Sequence, residues 1–323
     1  MRRLSAISGS VLLAAAILAA GGAGAEDVAA PAYRQLLKLP TQADQIGFPG
    51  SVVADVRTGE VFIPDIRNRR ITIFDQRGMF LYQIAGGEQF TGPRDLAVDP
   101  EGYILLAAQI DEGVGLAWLD FDGLFIRPVT LTGDALKDHE LPELVSVALS
   151  PDGEKIYALD QANFTMWITD RDGQVESSVL LIPDRETESP GDTLLGHVDV
   201  YGDKVLVAVP SLGLVYVYDL EGEPIRHIGR KGTAPCRTGF PMAAALDRNG
   251  NVIIIDQQRT IGMIWSLESG KCLQEFSGIG RSPGAMYQPN DLALDSRGNV
   301  YVSQGFEGRV QVYKGFAPAA EAP

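Results

Sequence analysis

Two cysteines and three histidines in 323 residues leave little material for metal or redox chemistry. Cys236 and Cys272 stand in no C-x-x-C pair and no Cys/His cluster, which excludes a zinc ribbon and a redox-active dithiol. The common enzyme signatures are also missing: there is no G-x-S-x-G elbow, no H-E-x-x-H, no phosphate-binding loop and no G-x-G-x-x-G after a strand. Basic residues are outnumbered, 27 Lys and Arg against 42 Asp and Glu, for a net charge of −15. Such a field repels phosphate backbones and anionic lipid, so nucleic acid is not an expected partner. No apolar run approaches the roughly 20 residues that cross a bilayer. Helical periodicity is absent apart from a weak stretch around Asp134 to Glu140.

What is present begins with an export signal. Arg2 and Arg3 give a positive start, Val11 to Ala20 a short apolar run, and Ala23-Gly24-Ala25 a small-residue cleavage site before Glu26. Residues 1–25 therefore read as a signal peptide cleaved after Ala25, and the expected location is the periplasm or the outside of the cell. No cysteine near the cleavage site suggests a lipid anchor, and the arginine pair lacks the rest of a twin-arginine motif. Loss of residues 1–25, which carry two arginines and no acid, takes the net charge from −15 to −17. An oxidising compartment makes a Cys236–Cys272 disulfide a candidate.

The rest of the chain repeats. One segment returns six times: FPGSVVAD (48–55), GPRDLAVD (92–99), ELVSVALS (143–150), LLGHVDVY (194–201), FPMAAALD (240–247) and QPNDLALD (288–295). The last residues of these segments are 44, 51, 51, 46 and 48 positions apart. Several are followed by a polar turn with glycine, as in Asp247-Arg-Asn-Gly250, and then by an apolar run such as Val252 to Ile255. A third alternating strand follows (71–74, 215–218, 310–313), then a second turn with glycine at 78, 123, 173, 222 or 270. Each unit thus holds four short antiparallel strands, and six such units specify an all-β, six-bladed β-propeller. The sixth unit stops after its third strand, at Tyr313, while a strand-like stretch, 33–39, precedes the first. That stretch is expected to complete the last blade and remove the exposed edges. The propeller is expected to span 26–315, and the Ala- and Pro-rich tail, 316–323, to stay unpacked.

The stretch Phe62-Ile-Pro-Asp65-Ile-Arg67-Asn68-Arg-Arg70-Ile71-Thr-Ile-Phe74-Asp75 resembles the NHL repeat, whose second and third strands read roughly V-A-D-x-x-N-x-R-I-x-x-F-D. The Pro-x-x-x-A-x-D opening of units two and six also fits. The resemblance implies a six-bladed ring and says little about activity, because relatives include interaction modules, a peptide-amidating lyase and lactone hydrolases. The lyases use three histidines around the channel; here His139 and His227 fall outside the inner-strand position of His197. The hydrolases hold a divalent ion through a Glu of the first blade plus later Asn and Asp residues. Asn290 and Asp291 echo that, but Pro49-Gly50-Ser51 stands where the acid is expected.

In such a ring the first strand of each blade is innermost, and its opening residue lines the channel mouth: Ser51, Asp95, Ser146, His197, Ala243 and Asp291. Arg94 and Asn290 precede two of these, and Asp65, Arg67, Asp111, Glu112, Asp160, Asp256 and Arg259 fall in or next to the loops of the same face. The ligand-binding candidates are therefore Arg94, Asp95, His197, Asn290, Asp291, Asp65 and Arg67. The opposite face is built from short, nearly identical turns, so function is expected on the face of the variable loops. The pairs Asp120/Asp122 and Asp170/Asp172 look like pieces of calcium loops but belong to the recurring turn, and Trp118, Met166, Trp167 and Trp265 read as packing between blades. The reading is a monomeric, non-enzymatic scaffold for a protein, peptide or small polar ligand, without a cofactor. The alternative is a metal-dependent lyase or lactone/ester hydrolase, with calcium or zinc at the channel mouth and His197 as acid or base.

Overall fold

The computed structural model describes residues 29–41, 45–110, 113–181 and 194–315. The expected signal peptide, 1–25, and the expected unpacked tail, 316–323, as well as Asp111 and Glu112, lie outside the described residues. These residues form strands β1 to β24 in chain order, arranged as six four-stranded antiparallel sheets. Blades one to five take their four strands consecutively, from β2–β5 (53–85), β6–β9 (91–129), β10–β13 (144–180), β14–β17 (198–228) and β18–β21 (241–276). Blade six combines β22–β24 (291–314) with β1 (Ala32–Leu36).

The closing strand runs against β24 with Ala32 opposite Lys314, Tyr33 opposite Tyr313 and Leu36 opposite Gln311. Leu37 continues the ladder, its N–H donating to Val310 O at 3.0 Å. The 33–39 expectation thus overlaps the observed strand, starting one residue late and running three residues past its end at Leu36. The weak helical stretch is a single 3-10 turn at Asp134–Leu136.

A blade has too few residues to enclose a core of its own, so the apolar side chains pack between blades. Six buried clusters result, one at each blade junction. Trp118 and Trp167 fill the wedge between blades two and three, and Trp265 that between four and five. Arg171 of blade three sits 4.3 Å above the Trp118 ring and donates to Asp99 Oδ2 of blade two at 2.7 Å.

The recurring turns work as local clamps. Asp75 Oδ1 accepts the N–H groups of Arg77 and Met79, both at 2.8 Å, and Asp120, Asp170 and Asp219 repeat the pattern two and four residues on. The glycine that ends each of these turns has positive φ, for example 82° at Gly78 and 90° at Gly173. Their aspartates are thereby committed to hairpins.

Candidate functional site in the central channel

The six channel-mouth positions alternate in size around the ring. Blades one, three and five contribute Ser51, Ser146 and Ala243; blades two, four and six contribute Asp95, His197 and Asp291. The three long side chains come from every second blade and meet on the axis. His197 Nδ1 lies 3.7 Å from Asp95 Oδ2 and 3.6 Å from Asp291 Oδ1.

Both carboxylates also tie the blades together. Asp95 Oδ2 accepts the Ser146 hydroxyl at 2.6 Å and the Val147 N–H at 3.0 Å, and Ser146 Oγ in turn accepts the Val198 N–H at 3.1 Å. Asp291 Oδ2 accepts the Val52 N–H at 2.8 Å. The bonds therefore run from blade two to three to four, and from six to one. Where the preceding blade offers Ser51 or Ala243, the aspartate turns to its own strand: Leu96 N–H donates to Asp95 Oδ1 at 2.9 Å, and Leu292 N–H donates to Asp291. Asp95 and Asp291 are almost wholly buried.

The electrostatics follow from burial. Desolvation pushes the His197 imidazole down, but the carboxylates of Asp291 and Asp95 outweigh it and lift the pKa to about 9. Burial raises Asp291, against the pull of His197 and with a further push from Asp95. At neutral pH His197 is therefore the cation between two acids.

A cavity of about 420 Å³ begins at this cluster. Its walls are the inner strands, which contribute Val53, Ala97, Leu149, Val200, Leu246 and Leu294. At the other end it reaches Asp55, Arg57, Pro100, Pro151 and Gly202, in the hairpins that follow the inner strands. The channel space therefore extends toward the face of the short hairpin turns, away from the variable loops. Asp199 lines it as well, two residues beyond His197 on β14. Burial lifts its carboxyl to about 7; the Val200 N–H pulls it down and Asp95 pushes it further up. Sequence reasoning passed over Asp199, although residues two apart on a strand share a face and His197 pointed to it.

The other candidates are not gathered at the cavity. Arg94 is exposed and outside its lining. Asn290 splices blade six to blade one, donating to Gly50 O at 2.6 Å and Pro49 O at 3.2 Å while accepting the Gly305 N–H at 2.7 Å. Asp65 is wholly buried and braces the incoming loop of its blade, accepting the N–H groups of Gly47 at 2.8 Å and Phe48 at 2.9 Å and the Asn68 amide at 2.6 Å. Asp160 and Asn163 repeat that device in blade three, where the Asn163 amide reaches Asp160 Oδ2 at 2.7 Å. Arg67 is exposed in the turn that follows Asp65.

The three histidines stay apart: His139 meets the Trp167 ring edge-on at 5.0 Å, and His227 lies beside Tyr216 on the outer strand of blade four. Among the described residues no group of three or more His, Cys, Asp or Glu side chains is placed to hold a metal ion. Cys236, in the incoming loop of blade five, is paired with Cys272 at the start of its outer strand, with Cα atoms 5.6 Å apart.

Six four-stranded blades around a polar-ended channel make this chain a β-propeller. No protein-family model matches it, and no curated protein does. Among solved structures it is similar to a structural genomics protein of unknown function from Bacteroides thetaiotaomicron, with a TM-score of 0.63, 14% identity, and 88% of this chain covering 73% of that one. A protein of unknown function from Bacteroides caccae aligns with a TM-score of 0.49 at 14% identity, over 72% of this chain and 78% of the other. Likeness at this identity shows the fold alone. Among the described residues, no helix is long and apolar enough to cross a membrane.

Proposed function

We propose that the protein is an exported, NHL-type propeller that acts as a non-enzymatic binding scaffold, and that its ligand seat is the central channel. One observation carries this reading: the channel holds a cavity of about 420 Å³ with aliphatic walls and a polar end. Pockets of that size and lining are where small ligands and side chains of partners bind. The groups at the polar end favour binding over chemistry, because Asp95 and Asp291 are engaged with His197 and with backbone N–H groups of neighbouring blades. A base held between two acids and protonated at neutral pH has no free lone pair to accept a substrate proton.

The test is a thermal-shift screen of polar metabolites and short peptides against the wild-type protein and Ala293→Phe, which places a ring at a half-buried position of the channel wall. The expected result is at least one compound that stabilises the wild type, leaves the variant unmoved, and is recovered unchanged. Equal stabilisation of both proteins would move the seat out of the channel, and turnover of the compound would end the non-enzymatic reading. Export is tested by the intact mass of the secreted protein, which should begin at Glu26.

A further inference from the structure

The channel carries more acid than base at its closed end. Asp95, Asp199 and Asp291 line it together, and His197 is the cation among them. Its Nδ1 is already placed between Asp95 and Asp291. Asp199 has no ion-pair partner among the described residues; its carboxylate accepts the Val200 N–H. The next cation along the cavity, Arg57, lies at the opposite mouth and is paired with Asp55 at 3.0 Å. A carboxylate out of bulk water without a counter-charge is costly, and the usual remedies are a proton or a cation. Burial pushes the Asp199 carboxyl up to about 7, which is the first remedy at work.

The rest of the cavity restricts which cation could supply the second. From Asp199 to the hairpin mouth the wall is aliphatic, with Val200, Leu149, Ala97, Val53, Leu294 and Leu246 contributed by the six inner strands. A hydrated metal ion gains nothing from such a wall, whereas an alkyl chain is transferred from water into it at each methylene. Resting on the channel as the ligand seat, we propose that the ligand is an organic ammonium cation with an apolar body: it enters from the hairpin face, its ammonium group pairs with Asp199, and its hydrocarbon lies along the aliphatic wall. The His197 cluster closes the far end and supplies the negative surroundings for the head group.

The probes are n-alkylammonium ions from methyl to hexyl, with hexanol, hexanoate and calcium as controls, titrated by calorimetry into the wild-type protein at pH 8, where Asp199 is ionised. Hexylammonium is expected to bind, with affinity rising about three- to fourfold per added methylene over the series. Hexanol should bind at least tenfold more weakly and hexanoate not at all. Asp199→Asn, checked for folding by circular dichroism, should lose at least tenfold in hexylammonium affinity and little in hexanol affinity. Flat affinity along the series, hexanoate or calcium binding as well as hexylammonium, an unaltered affinity in a folded Asp199→Asn protein, or no hexylammonium binding at millimolar concentration would each overturn the proposal. The series on the wild type decides the matter even if the variant does not fold. If another compound binds in a manner blocked by Ala293→Phe while the ammonium series fails, the ligand class is wrong and the channel seat stands. If no binding responds to Ala293→Phe, the seat itself is lost.

Discussion

Val52 donates its backbone N–H to Asp291 Oδ2 at 2.8 Å, a bond that joins residues 239 positions apart and links blade one to blade six beside the channel. Ring closure therefore has an inner device at the axis and an outer one, the pairing of β1 with β24. The two act at opposite edges of the same blade.

Replacing Asp291 by Ala leaves the buried Val52 N–H without its acceptor and His197 with one acid in place of two. The expected loss is about 2–4 kcal/mol of stability in denaturant unfolding. Asp291→Asn keeps an oxygen for Val52 and should lose less than Asp291→Ala. Equal losses in the two variants would show that the Val52 bond does not contribute.

The outer device is tested by removing it. Without β1, the edge of β24 is open, the buried Leu37 is lost, and Tyr313 loses the edge-on ring of Tyr33 at 6.3 Å. A chain beginning at Gln45 should melt at least on the order of 10 °C below one beginning at Glu26, with a broader transition. Coincident melting curves would refute the closure argument.

The frame of this molecule was open to reading because its signals are periodic. Third strands expected at 71–74, 215–218 and 310–313 are found at Arg70–Phe74, Leu214–Tyr218 and Arg309–Lys314, and the channel-mouth set followed from placing the repeats in one register. The site was harder because its meaning is radial. The sequence aligns Asp95, His197 and Asp291 with Ser51, Ser146 and Ala243, but only the closed ring shows that every second blade sends a long side chain to the axis. Chain adjacency alone groups Arg94 and Asn290 with them, although adjacent strand residues face opposite ways. The bracing role of Asp65 is hidden in the sequence because its partners, Gly47 and Phe48, lie 18 and 17 residues earlier in a loop with no repeat to mark it.

Pairing Cys236 with Cys272 ties the incoming loop of blade five to its outer strand across a sequence separation of 36. In the chain-entropy account such a cross-link contributes about 3–4 kcal/mol by restricting the unfolded state. Reduction of the protein should lower its melting temperature by roughly 5–15 °C, and thiol labelling of unfolded, unreduced protein should find none. Two reactive thiols per chain before reduction would remove the bridge.

The channel cluster predicts how stability varies with pH. His197 is lifted from 6.5 in the unfolded chain to about 9 in the fold by its two carboxylates, net of the desolvation that opposes them. The folded state thus holds the proton more tightly than the unfolded one. The stabilisation is fully present below pH 6.5 and is lost as pH rises through about 9. Asp199, raised from 3.8 to about 7 by burial, acts in the same direction over a lower window: the fold favours its protonated form, and stability falls as pH rises from about 4 to 7. Stability, and with it the melting temperature, should therefore decline in two steps as pH rises, one between about 4 and 7 and one toward about 9, the upper one on the order of 1–3 kcal/mol. His197→Gln should remove the upper step and keep the lower, whereas Asp199→Asn should keep the upper step and shrink the lower one, part of which remains because burial raises Asp291 as well. A wild-type protein as stable at pH 9.5 as at pH 6 would show that His197 is not held as a cation between Asp95 and Asp291.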